Sequence, residues 1–161
     1  SIDFQEADDF SADGTDLVEF MISTNRGEPL KPLSKIASGG EMSRIMLAFK
    51  KIIADYDEIP TMIFDEIDTG VSGSVADRMG SVICAMGEYM QVFAITHLPQ
   101  VAAKGSAHYL VSKEIDPLTS EAVSKIERLS DEQRVLELAR MLSGSVLTDE
   151  AVANAKSLLK N

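Results

Sequence analysis

Two short, mostly apolar runs, each ending in side chains able to do acid–base or metal chemistry, constrain this chain more than anything else in it. Thr61–Phe64 runs into Asp65-Glu66, and Gln91–Thr96 runs into His97. Runs of this length bounded by turn signals suit strands buried on both faces. Between them Val75, Met79, Val82, Ile83 and Met86 recur at helical spacing. Strand, helix and strand in that order make a βαβ unit, whose strands run parallel through a right-handed crossover. In an open parallel sheet, ligands bind beyond the C-terminal ends of the strands. The topology therefore predicts Asp65, Glu66 and His97 on one sheet edge.

The flanking pattern completes an α/β unit. Leu17–Thr24 alternates with the period of a strand, Val18, Phe20 and Ile22 sharing a face, and Asn25-Arg26-Gly27 reads as a turn. Ser38-Gly39-Gly40 opens a long helix along which Met42, Ile45, Met46, Phe49, Ile52 and Ile53 form one apolar stripe. His108–Val111 and Val123–Leu129 are expected to pair as a hairpin around Asp116-Pro117. Ser130-Asp131-Glu132-Gln133 is a capping box, Ser143-Gly144 stops the helix it opens, and Thr148 can cap a last helix. With 161 residues, 45% of them hydrophobic, the chain can bury one core. It has one cysteine, which excludes a disulfide framework within the chain and a multi-cysteine metal site. No apolar run is long enough to span a bilayer, and the N-terminus lacks the order of a signal peptide.

Charge is unevenly placed. The net is −11, yet residues 1–28 alone hold eight acids and one base. Residues 1–16 are therefore expected to be an acidic, solvated and partly mobile segment ahead of a domain spanning 17–161. A surface this acidic is not one that wraps a nucleic-acid backbone by bulk charge.

Three groups carry candidate chemistry. At Ser38-Gly39-Gly40-Glu41, two glycines admit close backbone approach, and free N–H groups at a helix start favour an anion. Glycine before a helix is also common as a plain loop. An Asp at the end of a buried strand, here Asp65, can hold Mg²⁺, and the following Glu66 can orient or deprotonate a water. Acids at strand ends are equally common in turns. His97 could donate to a terminal phosphate. A lone histidine more often has a structural role, and the conjunction of the three groups is what carries weight.

These residues resemble the ABC-type ATPases. Ser38-Gly39-Gly40-Glu41 resembles their signature motif, with Glu41 where many members carry Gln. Asp65-Glu66 resembles the Walker B aspartate and catalytic glutamate, and Thr96-His97 the switch histidine. Longer blocks, Lys35–Ala48, Ile63–Gly73 and Thr96–Ala102, with the helix Val135–Leu142, are similar to the RecN family of bacterial DNA-repair ATPases. That likeness runs from about residue 17 onward. RecN proteins are similar in plan to SMC proteins, an ATPase head divided by a long coiled coil. The resemblance implies an ABC-type P-loop NTPase head lobe, a largely parallel sheet flanked by helices. No glycine-rich phosphate loop ending in Gly-Lys-Ser or Gly-Lys-Thr occurs in the chain, nor a heptad run. Both are expected in an N-terminal head half that would be this lobe's partner.

The resemblance further implies ATP and Mg²⁺ as cofactors and an ATP-sandwiched homodimer. Ser38, Gly39, Gly40 and Glu41 would lie at the γ-phosphate in trans, with Asp65 at Mg²⁺. Glu66 would polarise the water, and His97 would hold the γ-phosphate. It implies repair of DNA double-strand breaks and recombination in the bacterial cytoplasm, at the nucleoid. DNA would be engaged through the complete protein and no membrane would be involved. The isolated chain is expected to be inactive. A nucleotide-gated dimerisation module without catalysis, or the head lobe of another SMC or ABC ATPase, are the alternatives. One departure stands out: where many ABC proteins carry an Asp six residues after the glutamate, this chain has Ser72. Cys84 is expected in or near the core, and His108 has no role assigned.

Overall fold

The computed structural model describes residues 1–12, 14–23, 26–35, 38–115, 120–144 and 146–160. Thr24, Asn25, Ile36, Ala37 and the Asp116-Pro117 turn lie outside the described residues.

The βαβ unit forms as its pattern dictates. A strand at Thr61–Asp65 (β4), a helix at Gly73–Met86 (α2) and a strand at Gln91–Ile95 (β5) follow one another. β4 and β5 pair in parallel, Met62 opposite Val92, Phe64 opposite Ala94 and Asp65 opposite Ile95. The ladder continues past the strand end, where the Glu66 amide donates to the Ile95 carbonyl at 3.2 Å. Ahead of it, a helix over Gly39–Asp57 (α1) begins with Ser38 in extended backbone and ends where Glu58 turns left-handed, two residues before Pro60. Met62, Phe64, Met79, Ile83 and Met86 interlock with Leu47 and Ala54 of α1 in the main core. Burying a side chain of Phe or Met size stabilises by about 1.5–3 kcal/mol.

One face of β4 is buried, and no residue of β5 is fully buried. Met62 and Phe64 are buried, while Ile63, Phe93 and Ile95 on the opposite face are 61%, 45% and 54% exposed. Burial on both faces, expected from the apolar runs, is therefore not reached within this chain. α1 shows the same imbalance. Its buried residues are Gly40, Leu47 and Ala54, whereas Met46, Phe49, Ile52 and Ile53 of the expected stripe are exposed. Phe49 alone among these four meets an aromatic partner, edge-on to Phe20 with centroids 6.1 Å apart.

The acidic entrance is a strand that its composition does not announce. Ile2–Ser11 (β1) pairs antiparallel with Gly14–Ile22 (β2), and β2 with a two-residue strand at Lys31–Pro32 (β3). Almost every side chain of β1 faces solvent, as its charge requires, and the hairpin runs across the expected boundary at residue 16.

A second, smaller core follows, built chiefly by the last two helices. A short helix at Pro99–Ala102 (α3) leads to the hairpin Tyr109–Ile115 (β6) and Ala122–Arg128 (β7), then to helices Asp131–Ser143 (α4) and Asp149–Leu158 (α5). The capping box closes as written: Ser130 Oγ accepts from the Gln133 amide, and Gln133 Oε1 accepts from the Ser130 amide. Thr148 Oγ1 likewise accepts from the Ala151 amide. Leu138, Ala139, Ala151 and Ala155 form this core with Ala103. Cys84 is a correction, being exposed. It follows the buried Ile83 by one residue, about 100° around the helix and off the core-facing stripe.

His108 lies just ahead of β6, close to the Ala102 backbone and the Arg134 guanidinium. Burial lowers its pKa, the positive charge of Arg134 adds to the fall, and a hydrogen bond to the Ala102 backbone opposes it. The folded chain thus prefers the neutral ring, while the unfolded chain takes a proton near the ordinary 6.5. Stability from this group is complete above about pH 6.5 and is lost as pH falls through the lowered folded value. His108→Gln is expected to move the acid unfolding midpoint to lower pH, followed by circular dichroism. An unchanged midpoint would mean that other groups govern acid sensitivity.

Candidate functional site

Beyond the parallel strands the chain makes a tight turn, Glu66–Val71. Glu66 itself has φ of +48°, a left-handed conformation uncommon for a residue with a side chain. The turn holds it there. The Thr69 amide and Thr69 Oγ1 both donate to the Glu66 carbonyl, at 3.2 and 2.9 Å, and the Val71 amide donates to the Asp68 backbone carbonyl at 3.1 Å. Such strain, of order 1–3 kcal/mol, persists only when the surroundings fix it, and it clusters at functional positions. Asp65 and Glu66 are both exposed, and among the described residues neither carboxylate is engaged in a hydrogen bond or ion pair.

The parallel register brings Thr96 and His97 beside them, as the topology requires. Asp65, Glu66 and His97 thus share one edge. The glycine segment lies against the same turn from the other side. A Cβ built on Gly40 would come within 2.5 Å of the Gly70 carbonyl oxygen. Ser43 Oγ donates to the Gly39 carbonyl at 3.0 Å and lies 3.5 Å from that of Thr69. Gly39, by contrast, has nothing within 4 Å of its Cβ position. Of the two glycines, one is required by packing and the other leaves backbone open to a ligand. Ser38 is exposed and Glu41 half-buried.

The residue that sequence reasoning missed is Asp68. It is 1% exposed, the one buried charged residue among those described. Thr96 Oγ1 donates to its Oδ2, and the Leu98 amide donates to Thr96 Oγ1 at 3.0 Å. His97 Nδ1 lies 3.6 Å from its Oδ1. A third acid within four residues of the chain was the available signal, but burial is what distinguishes it from Asp65 and Glu66.

No group of three or more potential metal ligands occurs among the described residues. Mg²⁺ is commonly held by one or two carboxylates together with substrate phosphates. The exposed, unengaged Asp65 at the strand end fits such a single-carboxylate role.

No family model matches the chain. Curated relatives do. It is 49% identical over 148 residues to the DNA repair protein RecN of Xylella fastidiosa, covering 91% of this chain and 26% of that protein. It is 48% identical over 147 residues to RecN of Bacillus subtilis, covering 91% and 25%. Over nearly all of its length, the chain is RecN-like. The match is to the C-terminal part of RecN, and the chain spans about a quarter of the length of these relatives. Among solved structures, the RecN-like chain aligns at a TM-score of 0.63 and 23% identity with one from work on ATP-driven dimerization and DNA-stimulated activation of SMC ATPases. That alignment covers 91% of this chain and 83% of the other. A Pyrococcus yayanosii Smc head domain with a coiled coil and joint aligns at 0.63 and 24% identity, over 78% of this chain and 22% of the other. The fold is that of an SMC ATPase head, a mixed α/β arrangement whose parallel element is the β4–β5 pair.

Proposed function

We propose that this chain is the C-terminal lobe of a RecN-like ATPase head, completing a nucleotide site in a protein that acts on DNA breaks. The observation that carries this is the shared edge of Asp65, Glu66 and His97 beyond two parallel strands, with Glu66 held in a strained turn. Asp65 would hold Mg²⁺ against the nucleotide phosphates, and Mg²⁺ would neutralise charge developing on them. Glu66 orients and takes a proton from the attacking water, its carboxylate unengaged by neighbours. His97 contacts the terminal phosphate. Positioning and charge compensation supply most of the barrier reduction in phosphoryl transfer, so few side chains suffice.

Ser38, Gly39, Gly40 and Glu41 face a second nucleotide in trans, in an ATP-sandwiched homodimer. Their backbone N–H groups at the α1 start suit a phosphate. The chain contains no phosphate loop, and the uncovered face of Ile63, Phe93 and Ile95 gives an N-terminal half of the head a surface to cover. DNA is engaged through the complete protein rather than through this acidic lobe, in the cytoplasm at the nucleoid.

The decisive assay is ATP hydrolysis by this chain mixed with a head half carrying the phosphate loop, against either part alone. Turnover is expected only from the mixture. ATP binding by the mixture without hydrolysis would favour a nucleotide-gated dimerisation module. Robust turnover by this chain alone would overturn the divided-head reading.

A further inference from the structure

A carboxylate with 1% of its surface exposed is costly to bury unless donors surround it. Asp68 satisfies one oxygen: Oδ2 accepts from Thr96 Oγ1. Its other oxygen, Oδ1, is buried with no hydrogen-bond partner. The cation-forming group nearest to it is the His97 ring, whose Nδ1 stands 3.6 Å away, longer than a hydrogen bond. The ring is 67% exposed, so little packing opposes the small rotation that would close this gap.

We infer that Asp68 is a positioning residue, a buried carboxylate that clamps Thr96 through one oxygen and fixes the Nδ1 edge of His97 through the other. The clamp ties the end of β5 to the turn after β4, so that the carboxylates of one strand and the imidazole of the other keep their relative places. It also selects the ring's proton. A carboxylate facing Nδ1 requires the hydrogen on that nitrogen, although a free imidazole side chain in water prefers to carry it on Nε2. Nε2, on the far side of the ring, is then turned away from Asp68 toward solvent. There it can accept from a water when the ring is neutral and donate to a phosphate when it is protonated. The Thr96 hydroxyl cannot rotate freely, because it donates to Asp68 while accepting from the Leu98 amide. The clamp is therefore built from both sides.

The consequence for turnover rests on the function proposed above, but the clamp itself does not. Nitrogen-15 NMR of the imidazoles in this chain reads the tautomer directly, with His108→Gln assigning the two rings. At a pH where His97 is neutral, its proton is expected on Nδ1 in the native chain. Asp68→Asn is expected to return it to Nε2, since the amide keeps an acceptor for Thr96 and can present a donor to the ring. An ordinary Nε2 preference in the native chain, or no change in Asp68→Asn, overturns the inference. Should Asp68→Asn lose its native amide spectrum, the pair Thr96→Val and Thr96→Ser decides instead. Valine is expected to weaken the Nδ1 preference and serine to restore it, and equal spectra from the two would overturn the clamp. In the complete protein, Asp68→Asn is expected to lower kcat on the order of 10²-fold, with KM for ATP little changed. A switched tautomer with unchanged kcat supports the clamp and removes the role given to His97 in hydrolysis.

Discussion

Glu66→Gln, introduced into the complete protein, is expected to cut ATP turnover by about 10²-fold or more while nucleotide binding survives. Proton transfer by a positioned side chain contributes roughly 10²–10⁴-fold, and the amide keeps the shape of the carboxylate while losing its basicity. The substitution should not disturb the fold. The Glu66 side chain is exposed, and what holds the residue is its backbone, through the Thr69 donors and the Ile95 carbonyl. Glutamine can occupy the same left-handed conformation at similar cost. In the proposed ATP sandwich, nucleotide that binds and is not hydrolysed would keep the dimer closed, so the variant should elute as a dimer with ATP and revert when ATP is removed. Turnover at the native rate would show that another group activates the water. Loss of ATP binding would show instead that Glu66 belongs to the binding surface.

The starts of α4 and α5 were legible because capping is local chemistry. Ser130 and Gln133, or Thr148 and its third neighbour, meet whatever the rest of the fold does. Periodicity was equally reliable for the existence of α1 and less so for its orientation. Its six-residue stripe is real, yet the residues that reach the core are Leu47 and Ala54, and most of the stripe looks outward. A hydrophobic stripe reports that a face wants covering and not what covers it, and here both α1 and the open side of β4–β5 retain that demand. β1 was illegible for the opposite reason. Its alternation is confined to Ile2-Asp3-Phe4-Gln5 and then lost among the acids, and pairing with β2 is what makes the whole segment a strand. In the site, Asp65, Glu66 and His97 could be placed together from topology alone, since strand ends are fixed by the βαβ connection. Asp68 could not. Its importance comes from burial against Thr96 and His97, a long-range property that spacing along the chain does not encode.

The two glycines before α1 should behave oppositely when each is replaced by alanine. Sequence alone gives both the same reason, close approach of backbone to a ligand. In the structure a Cβ on Gly40 would stand 2.5 Å from the Gly70 oxygen and 3.1 Å from its carbonyl carbon, both backbone atoms with no flexible side-chain end to swing aside. Either the start of α1 or the Glu66–Val71 turn must move, and overpacking of this kind costs about 1–3 kcal/mol. For a chain of this size each kcal/mol shifts Tm by roughly 2–4 °C, so Gly40→Ala is expected to lower it by about 2–12 °C. Because the same turn carries Glu66 and Asp68 and directly follows Asp65, hydrolysis by the complete protein should fall with it. Gly39→Ala meets open space and gains helix propensity, so its Tm should hold or rise slightly. In the proposed trans contact its added methyl would obstruct a phosphate approaching the backbone, and trans-activated turnover should be lost while the fold is kept. Thermal unfolding of the two variants, paired with ATPase assays on the complete protein, separates the packing glycine from the ligand glycine. Equal losses of Tm in both would overturn that division, and a stable, fully active Gly39→Ala protein would remove the signature segment from the nucleotide site.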